Sequence, residues 1–395
     1  MTPHSDQDLA GKRIAIMSWR DTFNPESGGA ENYMLKMAEG FRDRGALVTV
    51  FTAAYAGAPP RNTHDGIRYM RAGGKLGVYA RGMQALLMRK LGRCDVVIDV
   101  QNGLPFFTRL VTRKPIIVLV HHVHREQWPV VYPGITGRIG WWIEHGLSPR
   151  LYRACQYVAV SRATRDELIS LGVPGHHIAV VHNGSESVEV PTLEPKSSYP
   201  SICVVGRLVP HKQVEHAIDA AITLRPELPD LKLTVVGGGW WSDELQDYVN
   251  QNGASEFVEL LGHVSEEDKH RVYARSWVKA LPSLKEGWGL VIGEAGHHLT
   301  PTVAYRDAGG TRESISDGFS GLLADSKAEF VDQLRQVLTD ASLRASLAKG
   351  ALAVSESYTW DNTQKALTTI VLSALDGKMI AAQDQPAPQI DELKN

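Results

Sequence analysis

The sequence predicts an α/β protein built from two doubly wound, Rossmann-like domains with a ligand cleft between them. Three observations carry this expectation. At 395 residues the chain exceeds what one hydrophobic core ordinarily organises. Short runs rich in Val and Ile alternate with helical patterns in both halves, the mark of parallel sheets covered on both faces. Between the halves, 185–200 changes character, with three prolines, serines and acidic residues, and reads as an interdomain linker.

In the first half, 13–18 reads as a strand, followed by a Gly28-Gly29 turn and a helix over 30–44. Compact β-rich runs follow at 47–52, 96–100, 116–121, 157–161 and 178–181, the last just before Asn183-Gly184. The second half repeats the pattern. A strand over 201–205 ends at Gly206, 214–224 is a helix, and a strand over 231–236 ends in Gly237-Gly238-Gly239. Runs at 257–260, 278–281 and 302–304 complete the second sheet. The expected domains are 1–190 and 201–359, joined by a linker at 191–200, with a disordered tail over 379–395.

Charge is divided unevenly. Up to residue 190 there are 23 Lys and Arg against 16 Asp and Glu, whereas the remainder holds 19 against 28. A basic first half and an acidic second half fit domains with different partners. Cys94, Cys155 and Cys203 are odd in number and far apart, which suits a reducing compartment. The polar start of the chain lacks the apolar core of a signal peptide, and no segment reaches the roughly 18–20 apolar residues of a membrane span. A cytoplasmic protein without a nucleic-acid partner is therefore expected.

The richest stretch is Glu286-Gly287-Trp288-Gly289-Leu290-Val291-Ile292-Gly293-Glu294. The apolar run 278–281 ends at Pro282, so Glu286 leaves a buried strand through a loop, and 290–295 opens a helix carrying Glu294. Glycines between the carboxylates let backbone N–H groups approach a ligand at the positive end of that helix. The layout suits a phosphate-bearing substrate with hydroxyl groups on both sides, and equally a plain connection with two solvated glutamates. Gly206-Arg207-Leu208-Val209-Pro210-His211-Lys212 follows one strand and precedes a helix, so Arg207 and Lys212 can reach a diphosphate from two sides.

Gly237-Gly238-Gly239 reads as a tight strand-end turn, because Ser242 breaks the dinucleotide spacing. Gly28-Gly29-Ala30-Glu31 sits at a helix start where amides can face an anion. His121-His122-Val123-His124 follows a strand, a poor geometry for one metal ion and a better one for an imidazole on a sugar hydroxyl. The stretch 75–93 reads as an amphipathic helix. Leu76, Tyr79, Met83 and Leu87 share one face, and Lys75, Arg81, Arg89 and Arg93 form a basic face that an anionic membrane would attract. A solvated domain helix has the same pattern. Trp128, Trp141 and Trp142, with Tyr132 and Tyr152, fit either core packing or an acceptor surface.

Taken together, these motifs resemble the family 4 retaining glycosyltransferases of GT-B fold, over about 13–323. The resemblance rests on the Glu-x7-Glu element, Gly206-Arg207…Lys212, Leu233-Thr-Val-Val-Gly, Leu261-Gly-His-Val, Gly28-Gly29-Ala30-Glu31, His121, Val160-Ser161 and Val181-His182-Asn183-Gly184. It implies that Arg207 and Lys212 hold the donor diphosphate, that Glu294 binds ribose hydroxyls and that Glu286 contacts the transferred sugar. Amides of Trp288, Gly289, Leu290 and Val291 would bind sugar and phosphate oxygens. Gly206 and Gly237 would belong to the donor loops, and backbone at Val264 would meet the base. His121 would touch the sugar from the first domain, where Gly28 and Gly29 would line the phosphate and acceptor side.

The resemblance further implies no metal and no cofactor beyond the nucleotide-sugar co-substrate, and a last helix, about 360–378, packed on the first domain. Gln213 stands where the family usually has Gly, and Trp288 where Phe is usual, which enlarges the wall near the sugar. The implied activity is retaining transfer from a UDP- or GDP-sugar to a small-molecule or lipid-linked hydroxyl acceptor. A sugar-nucleotide epimerase, a phosphorylase-like enzyme or a non-catalytic sugar-nucleotide binding module remain as alternatives.

Overall fold

The computed structural model describes residues 8–186 and 195–381. It contains two units, one holding the chain up to Asn183 together with the helix Trp360–Leu375, the other running Gly184–Thr359.

The first unit is built on an eight-stranded sheet. In chain order its strands are β1 (Arg13–Met17), β2 (Leu47–Thr52), β3 (Arg61–His64), β4 (Ile67–Arg71), β5 (Val96–Gln101), β6 (Ile116–Val120), β7 (Gln156–Ala159) and β8 (Ile178–Val180). They lie in the order β3-β4-β2-β1-β5-β6-β7-β8, all parallel except the β3–β4 hairpin. That hairpin was not expected, because β3 is polar and mostly exposed. Its signal is the turn Asp65-Gly66, whose φ values of 47° and 76° are those of a tight hairpin. The apolar face of the sheet packs with Val78, Phe106, Tyr152 and Leu168 into one core. Helix Gly29–Asp43 lies against Trp360–Leu375, where Gln364 Nε2 donates to the Lys36 carbonyl at 2.8 Å.

The second unit carries β9 (Ser201–Val205), β10 (Lys232–Val236), β11 (Val258–Gly262), β12 (Val278–Leu281), β13 (Thr302–Tyr305) and β14 (Gly321–Ala324). Their order is β11-β10-β9-β12-β13-β14, parallel throughout. The chain runs outward from β9 to β11 and then returns to β12 beside β9, so the winding direction reverses between the two central strands. Open α/β sheets bind ligands beyond the carboxyl ends of the strands at such a reversal. The loops that leave β9 and β12 are those of Arg207–Lys212 and Glu286.

Three expectations about extent are corrected. The stretch read as a linker belongs, from 195 on, to the second unit, while 191–194 lie outside the described residues. Lys196 is held there by the carbonyls of Ser276 and His298 at 2.7 and 3.0 Å and by Thr300 Oγ1 at 2.5 Å, which satisfies its ammonium away from water. The tail expected from 379 begins with a bonded segment, for Ile380 exchanges two hydrogen bonds with the Gln156 amide at 2.8 and 2.9 Å. The rest of that tail, 382–395, lies outside the described residues. The helix expected over 75–93 spans only Gly77–Leu87, because Arg89 and Gly92 adopt left-handed φ of 53° and 86° and turn the chain. Its buried stripe is Val78, Gly82 and Ala85, which leaves Leu76 and Leu87 exposed.

Candidate functional site

Two loops of the second unit meet at the reversal between β9 and β12. After β9, Gly206 leads into the short 3-10 turn Pro210–Lys212, and Gln213, at φ 48°, opens the helix Val214–Leu224. After β12, Pro282 ends the strand and the loop runs to the helix Leu290–His297, entered through Gly289 at φ 88°. Leu284 N donates to the His211 carbonyl at 2.9 Å, which ties one loop to the other. Glu286 is fixed by its own backbone, N to the Ala308 carbonyl at 2.7 Å and carbonyl to Gly310 N at 3.0 Å.

These anchors place Lys212 Nζ 2.5 Å from Glu286 Oε1, an oxygen that also accepts from Ser283 Oγ at 2.7 Å. Burial alone would raise the Glu286 carboxyl, but the Lys212 ammonium and the Ser283 hydroxyl outweigh it and hold the group below the usual carboxylate range. Arg207 is exposed and has no hydrogen bond or ion pair among the described residues. The loop after β9 thus carries one unengaged guanidinium, at Arg207, and one lysine locked to a carboxylate.

Glu294 is the fifth residue of its helix. Its Oε2 accepts from Tyr273 Oη at 3.0 Å and faces Lys269 Nζ at 3.3 Å, both from the helix Glu266–Arg275. Gly237 lies where β10 comes closest to the Gly206 peptide. A Cβ there would stand 1.9 Å from the Gly206 carbonyl oxygen, and φ is 133°. Only glycine fits such an approach. Val264 packs with Val205, Val236 and Val291 beneath the loops. The Trp288 indole is buried edge-to-face on Tyr358 at 4.8 Å, so it shapes the loop from inside the unit. Leu290 and Val291 form the first turn of the helix.

Lys279 was read as part of an apolar run, yet it is a fully buried lysine on β12, whose Nζ has no hydrogen-bond partner. Burial pushes its ammonium down to about 8, against the opposing pull of Cys203 and Glu286. A lone cation inside a Val-Lys-Ala-Leu strand is the signal that pattern reading passed over. Ser283 was missed as well, although a hydroxyl three residues before a loop glutamate is well placed to bond it. Tyr273 and Lys269 carried no local signal, since helix packing alone brings them to Glu294.

In the first unit, Gly28 caps the helix Gly29–Asp43, and its N–H donates to Glu31 Oε2 at 2.8 Å. That amide is therefore engaged within the unit. His121 follows β6 and is buried edge-on against Tyr33, with ring centroids 5.2 Å apart. Its Nε2 has no hydrogen-bond partner, and burial pushes the imidazole down to about 4, so it is neutral near pH 7. His124 bridges Glu144 Oε1 at 3.1 Å and Asn102 Oδ1 at 2.7 Å, while His122 reaches Gln127 Oε1 at 3.1 Å. Among the described residues no group of three His, Cys, Asp or Glu is arranged to hold a metal ion. Of the five aromatic candidates for an acceptor surface, Trp128 and Tyr152 are core residues and Trp142 is exposed.

Comparison with known proteins agrees with this architecture. Residues 27–186 match the family model Glycosyltransferase Family 4, and residues 189–353 match Glycosyl transferases group 1. An uncharacterized glycosyltransferase of Methanocaldococcus jannaschii is 26% identical over 398 residues, covering 92% of this chain and 99% of that one. Among solved structures, sucrose-phosphate synthase from Thermosynechococcus elongatus superposes with a TM-score of 0.77 at 16% identity, covering 93% of this chain and 100% of that one. An Anabaena protein in complex with UDP-glucose superposes with a TM-score of 0.69 at 18% identity, covering 91% and 99%. Two Rossmann-like sheets and these matches define a glycosyltransferase of GT-B fold. The chain belongs to glycosyltransferase family 4. Among the described residues no helix is long and apolar enough to cross a membrane.

Proposed function

We propose that the protein transfers a sugar from a nucleoside diphosphate donor to a hydroxyl acceptor with retention at the anomeric carbon. The observation that carries this reading is the Lys212–Glu286 pair, set where the second sheet reverses its winding, with the unengaged Arg207 on the same loop as Lys212. Arg207 and Lys212 neutralise the charge that grows on the diphosphate as the glycosidic bond breaks. Glu286, kept ionised by Lys212, accepts hydrogen bonds from sugar hydroxyls, and Glu294 accepts from the ribose. Amides of Trp288, Gly289, Leu290 and Val291, at the start of the helix Leu290–His297, bind phosphate and sugar oxygens. In this reading the two cations act where a divalent ion otherwise would, so activity survives chelation.

Glu286, the carboxylate assigned to the sugar, is engaged by Lys212 and Ser283, which favours front-face attack with the departing phosphate taking the acceptor proton over a covalent intermediate on Glu286. The solved Anabaena complex with UDP-glucose makes UDP-sugars the first donors to try, ahead of GDP-sugars. The acceptor, a small hydroxyl compound or a lipid-linked one, is assigned to the first unit, whose basic stretch 75–93 is a candidate for contact with an anionic membrane. A thermal-shift panel of nucleoside diphosphates and their sugars tests the donor. Stabilisation by one nucleotide series, lost in Lys212→Ala and Arg207→Ala, supports the reading, and indifference to every nucleotide sugar overturns it.

A further inference from the structure

Cys203, Lys279 and Thr302 form a row across the centre of the second sheet. Lys279 is the register partner of Cys203 on β9 and of Thr302 on β13, so the three side chains share one face. Cys203 packs there with Tyr273 and Ala295, which sets that face against the helices Glu266–Arg275 and Leu290–His297. All three residues are buried, and neither Lys279 Nζ nor Thr302 Oγ1 has a hydrogen-bond partner among the described residues. Burying an ammonium without a partner is costly, and an apolar side chain at 279 would remove the cost. Costs of this kind are retained where they serve a site.

The charges that Lys279 faces are those assigned to the donor. Burial pushes its ammonium down to about 8, while Cys203, Glu286 and Glu294 pull it up and Lys212 repels it. The Cys203 thiol is itself pushed up by burial, so near pH 7 it carries no charge. The charged groups facing Lys279 are then Glu286, Glu294 and Lys212. Glu286 is already answered by Lys212 at 2.5 Å, and Glu294 by Lys269 at 3.3 Å and the Tyr273 hydroxyl at 3.0 Å. Lys269 also meets Glu266, whose side chain is 80% exposed and so is answered by solvent. Each donor carboxylate thus has a cation of its own, and the charge on Lys279 is left over. Unlike Arg207, which is exposed, Lys279 is shielded from solvent.

We propose that Lys279 is a positioning residue of the donor site, whose buried ammonium is the surplus positive charge that a bound nucleoside diphosphate neutralises. It acts from inside the sheet, through Glu286 and Glu294 and through the field at the loops after β9 and β12. The diphosphate supplies the counter-charge that the fold withholds, and its arrival favours the charged form of the lysine. The proposal rests on the donor reading above and adds to it a buried cation that the loops themselves do not contain.

The test is calorimetric titration of the full chain with UDP, and with GDP, in two buffers of different ionisation heat. At about pH 8.5 the nucleotide phosphates are fully ionised, because their last proton leaves at about 6. A neighbouring diphosphate should favour the charged lysine about tenfold, so wild type is expected to take up about half a proton on binding. Lys279→Met should bind the nucleotide about tenfold more weakly near pH 7 and take up no proton at the higher pH. Its melting temperature should be no lower than that of wild type, which separates lost charge from lost fold. Lys196, also pushed down to about 8 by burial, lies among backbone carbonyls and not donor carboxylates. Uptake that survives in Lys279→Met would belong to such a group and overturns the proposal. Binding by wild type without uptake also overturns it and leaves the donor reading standing. No binding of either nucleotide by wild type removes the donor reading and this proposal together.

Discussion

Lys212 Nζ lies 2.5 Å from Glu286 Oε1, although 74 residues separate them in the chain. The contact exists because β9 and β12 are neighbours at the centre of the second sheet. A backbone hydrogen bond from Leu284 to His211 then closes one loop on the other. A cation and a carboxylate that suggested separate roles form one electrostatic unit.

Removing that cation has a defined consequence. Lys212→Ala is expected to lower kcat by about 10²–10³. Burial would then act on Glu286 with less opposition, so its carboxyl rises and the acid limb of the pH–rate profile moves to higher pH. Lys212→Arg should keep the limb in place while slowing turnover. A limb unmoved in Lys212→Ala would remove the pair from the chemistry.

Lys279 sets a second expectation. Its folded ammonium titrates near 8 against 10.5 when solvated, so between those values the unfolded chain binds the extra proton and stability rises with pH. Below about 8 the full cost of burial is present. Lys279→Met should therefore stabilise the second unit at pH 7 by on the order of 1–3 kcal/mol. It should also flatten the rise between pH 8 and 10.5, leaving the share that belongs to Lys196, likewise pushed down to about 8. Urea unfolding at a series of pH values reads both effects, and a destabilised variant with an unchanged slope would contradict them.

His121 should behave as a neutral group. Its imidazole is pushed down to about 4, so as pH falls from 6.5 towards 4 the unfolded chain takes up the proton first and the first unit loses stability. The His121 ring resonances are expected to stay still above pH 5 in an NMR titration. A midpoint near 6.5 would mean a solvated ring.

Asp21 and Arg71 form a buried ion pair at 2.6 Å that also engages Thr52 and Asn62 and anchors the loop between β1 and Gly28. Asp21→Ala should cost about 3–5 kcal/mol, because it strands a buried guanidinium. Replacing both partners by Leu and Met should cost less than Asp21→Ala alone. Denaturant unfolding of the single and double variants measures the difference.

The core strands were legible because burial on both faces demands continuous Val and Ile runs. The runs at 201–205 and 278–281 coincide with β9 and β12. The edges were less legible. β3 pairs on one side only and carries polar residues, and β14 is a short run without a strong pattern. The helix at 75–93 was overextended because charge and leucine spacing continue past the left-handed residues that end it.

The sequence by itself determined the α/β class, the central strands and the loops on which charged and glycine residues sit, since each depends on local periodicity and turn chemistry. Tertiary structure alone decided that Lys212 is spent on Glu286, that Lys279 is buried without a partner, and that the helix Ile135–Trp142 faces outward with its large residues. Each of these depends on which strand lies beside which and which helix face finds a neighbour. Sheet order and packing fix that, and no window of the sequence contains it.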